Sequence, residues 1–202
     1  MSHDEVLAAV AAVAVAAFAW WGWLWGVFGV TWLGAPRGQR VQLVAVPVVC
    51  LALIYAILAR WAASDVRDST TYMAFYLLLG LAWLGLCARL MHLGGISPRD
   101  DVVERRNPAA AWAVAGGLLA VALCYAGGNI GDGPGWWVVV FAAGLATAAL
   151  GLIGGFVAAA GRLAERITVE RELAGGVRYG CLLVACGLIL GRAVAGDWVS
   201  AA

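Results

Sequence analysis

Residues 136–161 read WWVVVFAAGLATAALGLIGGFVAAAG, a run without a single charged side chain. About 20 residues of apolar helix cross the hydrocarbon core of a bilayer, and this run exceeds that length. Five more runs of the same kind lie at Val6–Leu33, Val41–Ala62, Thr71–Leu93, Ala109–Gly128 and Gly175–Ala195. Inside hydrocarbon every backbone N–H and C=O must be paired within the protein, which a helix achieves by itself. The expectation is an all-α, polytopic transmembrane bundle of six helices. The separators are short and punctuated by Gly, Pro and charge, from Gly34–Arg40 to the charged stretch Arg162–Glu172. None is long enough to hold a domain, so residues 1–202 form one transmembrane domain.

Composition leads to the same class. The 202 residues are 64% hydrophobic and 12% charged, with a mean hydropathy of +0.90. A soluble domain carries roughly 25% charge. The 13 basic residues are all Arg and 12 acids leave a formal charge of +1, so no basic face for nucleic acid is expected. Cys50, Cys87, Cys124, Cys181 and Cys186 all fall in apolar runs and form no C-x-x-C pair, which reads as small buried hydrophobes rather than a disulfide framework. The first run follows Asp4 and Glu5, not a basic n-region, and is too long for a leader's apolar core. It is read as the first spanning helix.

Arginine fixes the expected orientation. Arg37, Arg40, Arg89, Arg99, Arg105, Arg106, Arg162, Arg166, Arg171 and Arg178 fall on the side of the first, third and fifth loops. Arg60, Arg67 and Arg192 fall on the other. The first side is therefore expected in the cytoplasm and both termini on the outer, periplasmic side. The chain also repeats at about 66 residues. Val103-Glu104-Arg105 recurs as Val169-Glu170-Arg171, and Arg60…Asp65 at the end of helix two recurs as Arg192…Asp197 at the end of helix six. Two coincidences at one period, in register with the helices, suggest three repeated helical hairpins of like orientation.

Glu104-x-x-Asn107-x-Ala109-Ala110, Gly117-Leu118-Leu119, Asn129, Ile167-Thr168-x-Glu170 and the closing Gly191–Trp198 carry a family resemblance. This stretch, 103–198, resembles the YjfL-type family of small bacterial inner-membrane proteins, a domain of unknown function. The resemblance implies multi-pass residence in the bacterial inner (cytoplasmic) membrane and a repeat origin, but no reaction. Family members usually have four spans, so residues 64–202 would be the family part and residues 1–63 an added N-terminal hairpin. The family tends to repeat Asn-x-Ala-Ala before both helices, whereas the second copy here reads Leu173-Ala174-Gly175-Gly176.

Three groups of residues stand out as candidates. Asp65, Asp68, Asp132, Arg192 and Asp197 form an outer-face charged set. They suit either a cation or proton site at the outer mouth or, on the reading preferred here, an Arg192–Asp197 ion pair, because an acid at a helix C-terminus opposes the macrodipole. Trp20, Trp21, Trp23 and Trp25 crowd helix one near midplane depth, away from the interfacial belt that Trp32 and Trp198 suit. They point to contact with a partner subunit, a lipid or a pigment, or to internal packing. Since they cannot share one direction, some must face outward. Small residues allow close helix approach at Gly22 and Gly26, at Gly144, Ala148, Gly151 and Gly155, and at Gly180, Gly187, Gly191 and Ala195.

Catalytic inventory is poor. His3 is terminal, His92 stands alone, no Ser or Cys has a base beside it, and Asn129–Gly135 reads as a tight turn. The expectation is a non-enzymatic protein with no metal site and no cofactor. It would act as an accessory or scaffold subunit packed laterally against other membrane subunits or its own copies, with membrane lipids around it. The alternative is a small ion or solute conduit using the outer acids.

Overall fold

The computed structural model describes residues 1–29 and 37–197, so Trp32, Leu33, residues 34–36 and Trp198 lie outside the described residues. The chain forms α1 (His3–Phe28), α2 (Arg37–Trp61), α3 (Ser64–Arg67), α4 (Thr70–Leu90), α5 (Pro108–Gly127), α6 (Trp136–Ala160), α7 (Leu163–Thr168) and α8 (Leu173–Ala193). Six of them (α1, α2, α4, α5, α6 and α8) are long and apolar enough to cross a membrane. The protein is an integral, multi-pass membrane protein.

Local chemistry sets the helix starts. Ser2 accepts from the Glu5 N–H while the Glu5 carboxylate accepts from the Ser2 N–H, a capping box that begins α1 earlier than its apolar run. Asp4 and Glu5 thus sit at the positive end of the helix dipole. Ser69 caps α4, and Asn107 caps α5 with Pro108 in its first turn. The separators hold short elements that apolar periodicity does not reveal: α3, α7 and a π-helical turn at Pro98–Glu104. That turn and α7 end alike. Asn107 N–H donates to Asp101 O and Glu172 N–H donates to Arg166 O, both at 3.0 Å. Just before each of these, Arg106 (φ 52°) and Arg171 (φ 55°) adopt the left-handed conformation.

α5 is the core. Within its spanning window 83% of residues are buried, against 17% for α1 and 22% for α2 and α8. Its sequence is Ala- and Gly-rich, so neighbouring backbones come close from several sides. α8 lies along it in the same direction. Gly176 packs on the Ala109 backbone, Gly180 on Trp112 and Gly116, Gly187 on Ala120, and Gly191 on Leu123 and Gly127. Hydrocarbon tails are as apolar as leucine, so this pair is held by dispersion across backbone contact rather than by escape from water. α2 also runs with α5: near its start Gln42 donates to Ala111 O at 3.3 Å, and at its end Trp61 O accepts from Gly131 N–H at 3.1 Å.

α1 runs with α4 on the periphery. Tyr72 Oη donates to the Glu5 carboxylate at 3.4 Å, and Trp20 Nε1 donates to Leu81 O at 2.9 Å. These side-chain bonds connect positions 67 and 61 residues apart. Trp83 Nε1 to Thr147 Oγ1 and Trp136 Nε1 to Asp4 Oδ2 span 64 and 132 residues.

A methyl group added at Gly180 would lie 2.7 Å from Trp112 O, whereas one added at Gly151 would meet nothing within 4 Å. Gly180→Ala is expected to cost about 1–3 kcal/mol through forced separation of α5 and α8. Gly151→Ala should be neutral or stabilise by up to about 1 kcal/mol, from helix propensity. Thermal unfolding in a mild detergent, the two variants side by side, checks this ordering.

Candidate functional site

The tryptophans of α1 divide between two faces. Trp20 and Trp23 are half-buried and meet edge to face at 5.8 Å between ring centroids. Each indole spends its N–H inside the bundle, Trp20 on Leu81 O and Trp23 on Leu43 O. Trp21 and Trp25 turn the other way and are 71% and 62% exposed. Phe18 (67%) and Phe28 (49%) join them, and Leu7 and Val10 extend the exposed line toward the helix start. Positions 18, 21, 25 and 28 follow helical spacing, so they form one aromatic stripe directed away from the bundle.

Gly22 and Gly26 do not bring another helix backbone close. A Cβ at Gly22 would collide with the Arg89 guanidinium, and one at Gly26 would lie 3.4 Å from Arg99 Cβ. The G-x-x-x-G motif is a notch for two arginine side chains. Arg89 stands in the last turn of α4, and helical side chains lean toward the helix N-terminus. It therefore reaches back along α1, where Nη2 donates to Phe18 O at 2.9 Å and Cζ lies 4.1 Å from the centre of the Phe18 ring. From Phe18 to Phe28 the α1 axis runs about 15 Å, so this charge is held well inside the helix end. Its Nε is buried and has no hydrogen-bond partner among the described residues. Arg89 is therefore not a loop-end charge like the other arginines of its side, and its position inside the apolar run Thr71–Leu93 is the sequence signal for that depth.

At the acidic end the terminal segments of α2, α5 and α8 are stitched together. Gly131 N–H donates to Trp61 O, Gly196 N–H donates to Ile130 O, and Asp132 N–H donates to Asp197 Oδ1 at 2.9 Å. Asp132 and Asp197 are thus neighbours. Asp65 accepts from the adjacent Val66 N–H at 2.9 Å, and both Asp65 and Asp68 are exposed. The expected Arg192–Asp197 ion pair does not form among the described residues. The salt bridges there are Arg99–Glu104, Arg105–Asp101 and Arg166–Glu172, and Arg192 is exposed. A backbone N–H in the neighbouring turn already gives the Asp197 carboxylate its donor.

The glycine ridges also part company. Gly180, Gly187 and Gly191 of α8 lie on the α5 backbone. On α6, Gly144 has only the Trp83 ring at 3.8 Å, and Gly151 and Gly155 face open space. The close helix packing expected there is not made at Gly151 and Gly155, where an added Cβ would meet nothing within 4 Å.

Residues 65–194 match the family described as Domain of Unknown Function (DUF350), well over half of the chain. The chain belongs to this family. No curated protein matches it, and no solved structure does. The DUF350 match takes in α4 through α8, with Asn107, Asn129 and Asp132, and leaves the tryptophans of α1 outside. Within the DUF350 part Asn107 is wholly buried and does two tasks. Its Oδ1 accepts from the Ala109 and Ala110 N–H groups, and its Nδ2 donates to Ile167 O at 2.6 Å. It therefore caps α5 and ties that cap to α7. Glu172, at the corresponding place before α8, makes no cap and instead accepts from Arg166 at 2.6 Å.

Asn107→Ala is expected to cost about 1–3 kcal/mol, since it uncaps α5 and strands the buried Ile167 carbonyl. Unfolding curves in detergent test it. At the acidic end Asp197→Asn, which keeps an acceptor oxygen, should leave the melting temperature unchanged, while Asp197→Ala should lower it. Arg192→Ala should have no effect on the same assay.

Proposed function

We propose that this chain is a non-catalytic accessory or scaffold protein of the bacterial inner membrane, acting by lateral contact with other membrane subunits. The observation that carries this reading is the aromatic stripe Phe18, Trp21, Trp25 and Phe28 on α1, turned away from its own bundle. Two exposed indoles in the run 20–25 have no internal role, while their neighbours Trp20 and Trp23 complete the internal packing. The stripe lies outside the DUF350 match, on the α1–α2 hairpin that we read as an addition to a four-helix YjfL-type body. Aromatic residues are the usual anchors of protein contact surfaces. The arginine-rich end is assigned to the cytoplasm and both termini to the outer side by the positive-inside rule.

The interior favours a scaffold over a passage. α5 fills the bundle centre with Ala, Gly, Val and Leu, and its one buried hydroxyl, on Tyr125, donates to Tyr76 O at 2.6 Å. A conduit is the second reading, and the Asp132–Asp197 contact at the acidic end is the observation in its favour. We also read the chain as three repeated hairpins. The bonds spaced 60 to 71 residues apart, with one at 132, support that origin, as do the matching turns before α5 and α8.

The test is extraction from the native membrane in mild detergent, followed by native mass spectrometry. A foreign subunit in fixed stoichiometry is expected with the natural chain. Trp21→Ala combined with Trp25→Ala should release it without changing the melting temperature. Finding only the bare chain would remove the accessory reading and direct attention to ion flux in liposomes with Asp132 and Asp197 altered.

A further inference from the structure

A groove of about 800 Å³ runs between α4 and α6, with α5 as its floor. At one end α4 and α6 are joined by Trp83 Nε1 donating to Thr147 Oγ1 at 3.2 Å. At the other, Gly95 (φ 80°) comes so close to α7 that a Cβ there would lie 3.2 Å from that of Ala164. Between these closures, from Trp83 to Gly94, the groove extends about 16 Å along α4. That is close to half of the roughly 30 Å hydrocarbon core. It lies in the half of the bundle next to the arginine-rich end. Its space exists because α6 presents no side chain: positions 151 and 155 are glycines with nothing within 4 Å of a would-be Cβ.

The wall chemistry restricts the occupant. The hydrogen-bonding groups of Trp83 and Thr147 are spent on each other, and Tyr179 Oη donates to Gly154 O at 3.1 Å. What remains is apolar lining, with the thiol of Cys87 and the thioether of Met91, that offers a ligand neither charge nor a free side-chain N–H or O–H. The end near Ala164 differs. Arg162 stands between the lining residues Ala159 and Ala164, exposed, in a left-handed conformation (φ 48°), and in none of the salt bridges among the described residues. His92, also exposed, adjoins the lining residues Met91 and Leu93. A non-glycine residue held at positive φ is strained, and here the strained residue is a cation set between two residues of the groove's wall.

We infer that the groove holds one acyl chain of an anionic phospholipid, with the phosphate at Arg162. One leaflet's depth of uncharged groove matches a tail, and the arginine beside its Ala164 end, which no carboxylate among the described residues pairs, complements the headgroup. This site is separate from the α1 stripe and does not depend on how that stripe is used.

The test uses the full chain, purified in mild detergent, incubated with phosphatidylglycerol or phosphatidylcholine and weighed by native mass spectrometry. The natural chain should retain one phosphatidylglycerol in preference to phosphatidylcholine. Gly151→Leu combined with Gly155→Leu should lose the retained lipid while keeping helicity and a single elution peak, because both side chains enter empty space. Arg162→Gln should keep a lipid but lose the preference for phosphatidylglycerol. Retention of lipid by the filled variant overturns the proposal. So does a homodimer that the filled variant splits, which would make a second copy the occupant. A measurement on the natural groove stands beside these: the emission lost in Trp83→Phe should be the part quenched by phosphatidylglycerol brominated on its chains. If that component resists quenching, the groove is closed to lipid and the inference fails.

Discussion

Contact of backbone on backbone between α5 and α8 is the constraint on which the rest of the bundle depends. Gly176, Gly180, Gly187 and Gly191 remove the side chains that would hold the two helices apart, and Ala109, Gly116, Ala120 and Gly127 do the same from the other side. In hydrocarbon nothing is gained by hiding leucine from solvent, so the pairs that associate are those whose surfaces approach most closely. α8 covers one side of α5, and α2, α4 and α6 pack on the rest of it. Polar bonds also close the two ends: Asn107 to Ile167 at one, and Trp61, Ile130 and Asp197 to the turns beside them at the other.

A second regularity follows from the direction of the helices. α1 with α4, and α2 and α8 with α5, pair as neighbours that run the same way. Pairing of this kind, with matched starts and matched ends, makes the sequence separation across each contact nearly constant. The period of about 66 residues, visible in Val-Glu-Arg and in the Arg…Asp ends, has a counterpart in the turns at Arg106 and Arg171. The two left-handed residues stand about one residue closer in sequence than the two Val-Glu-Arg triplets.

How much of each candidate site was legible depended on whether the residue's role is local. Asn107 before Pro108 is a cap by its own chemistry and could be recognised in place. Its bond to Ile167, across 60 residues, could not. The glycine ridges show the limit most plainly. Those of α6 and α8 have the same spacing in the sequence, yet α8 closes on α5 while Gly151 and Gly155 stand open. A small residue permits close approach without supplying the partner, and the partner is decided by every other helix. The G-x-x-x-G of α1 shows the same limit: the side chains of Arg89 and Arg99, not a helix backbone, lie against it.

The order of the apolar runs, their lengths and the charges between them were enough to determine six spans, an all-helical chain and residence in a membrane. Each of those properties is the transfer of a segment between water and hydrocarbon, a sum over residues that needs no knowledge of neighbours. Which way each helix faces was decided only in the tertiary structure. Lipid tails and a protein interior are equally apolar, so hydropathy cannot tell Trp20 from Trp21 or Gly180 from Gly151. The distinction rests on surface relief and on a few hydrogen bonds between distant positions, and those exist only when the whole bundle has assembled.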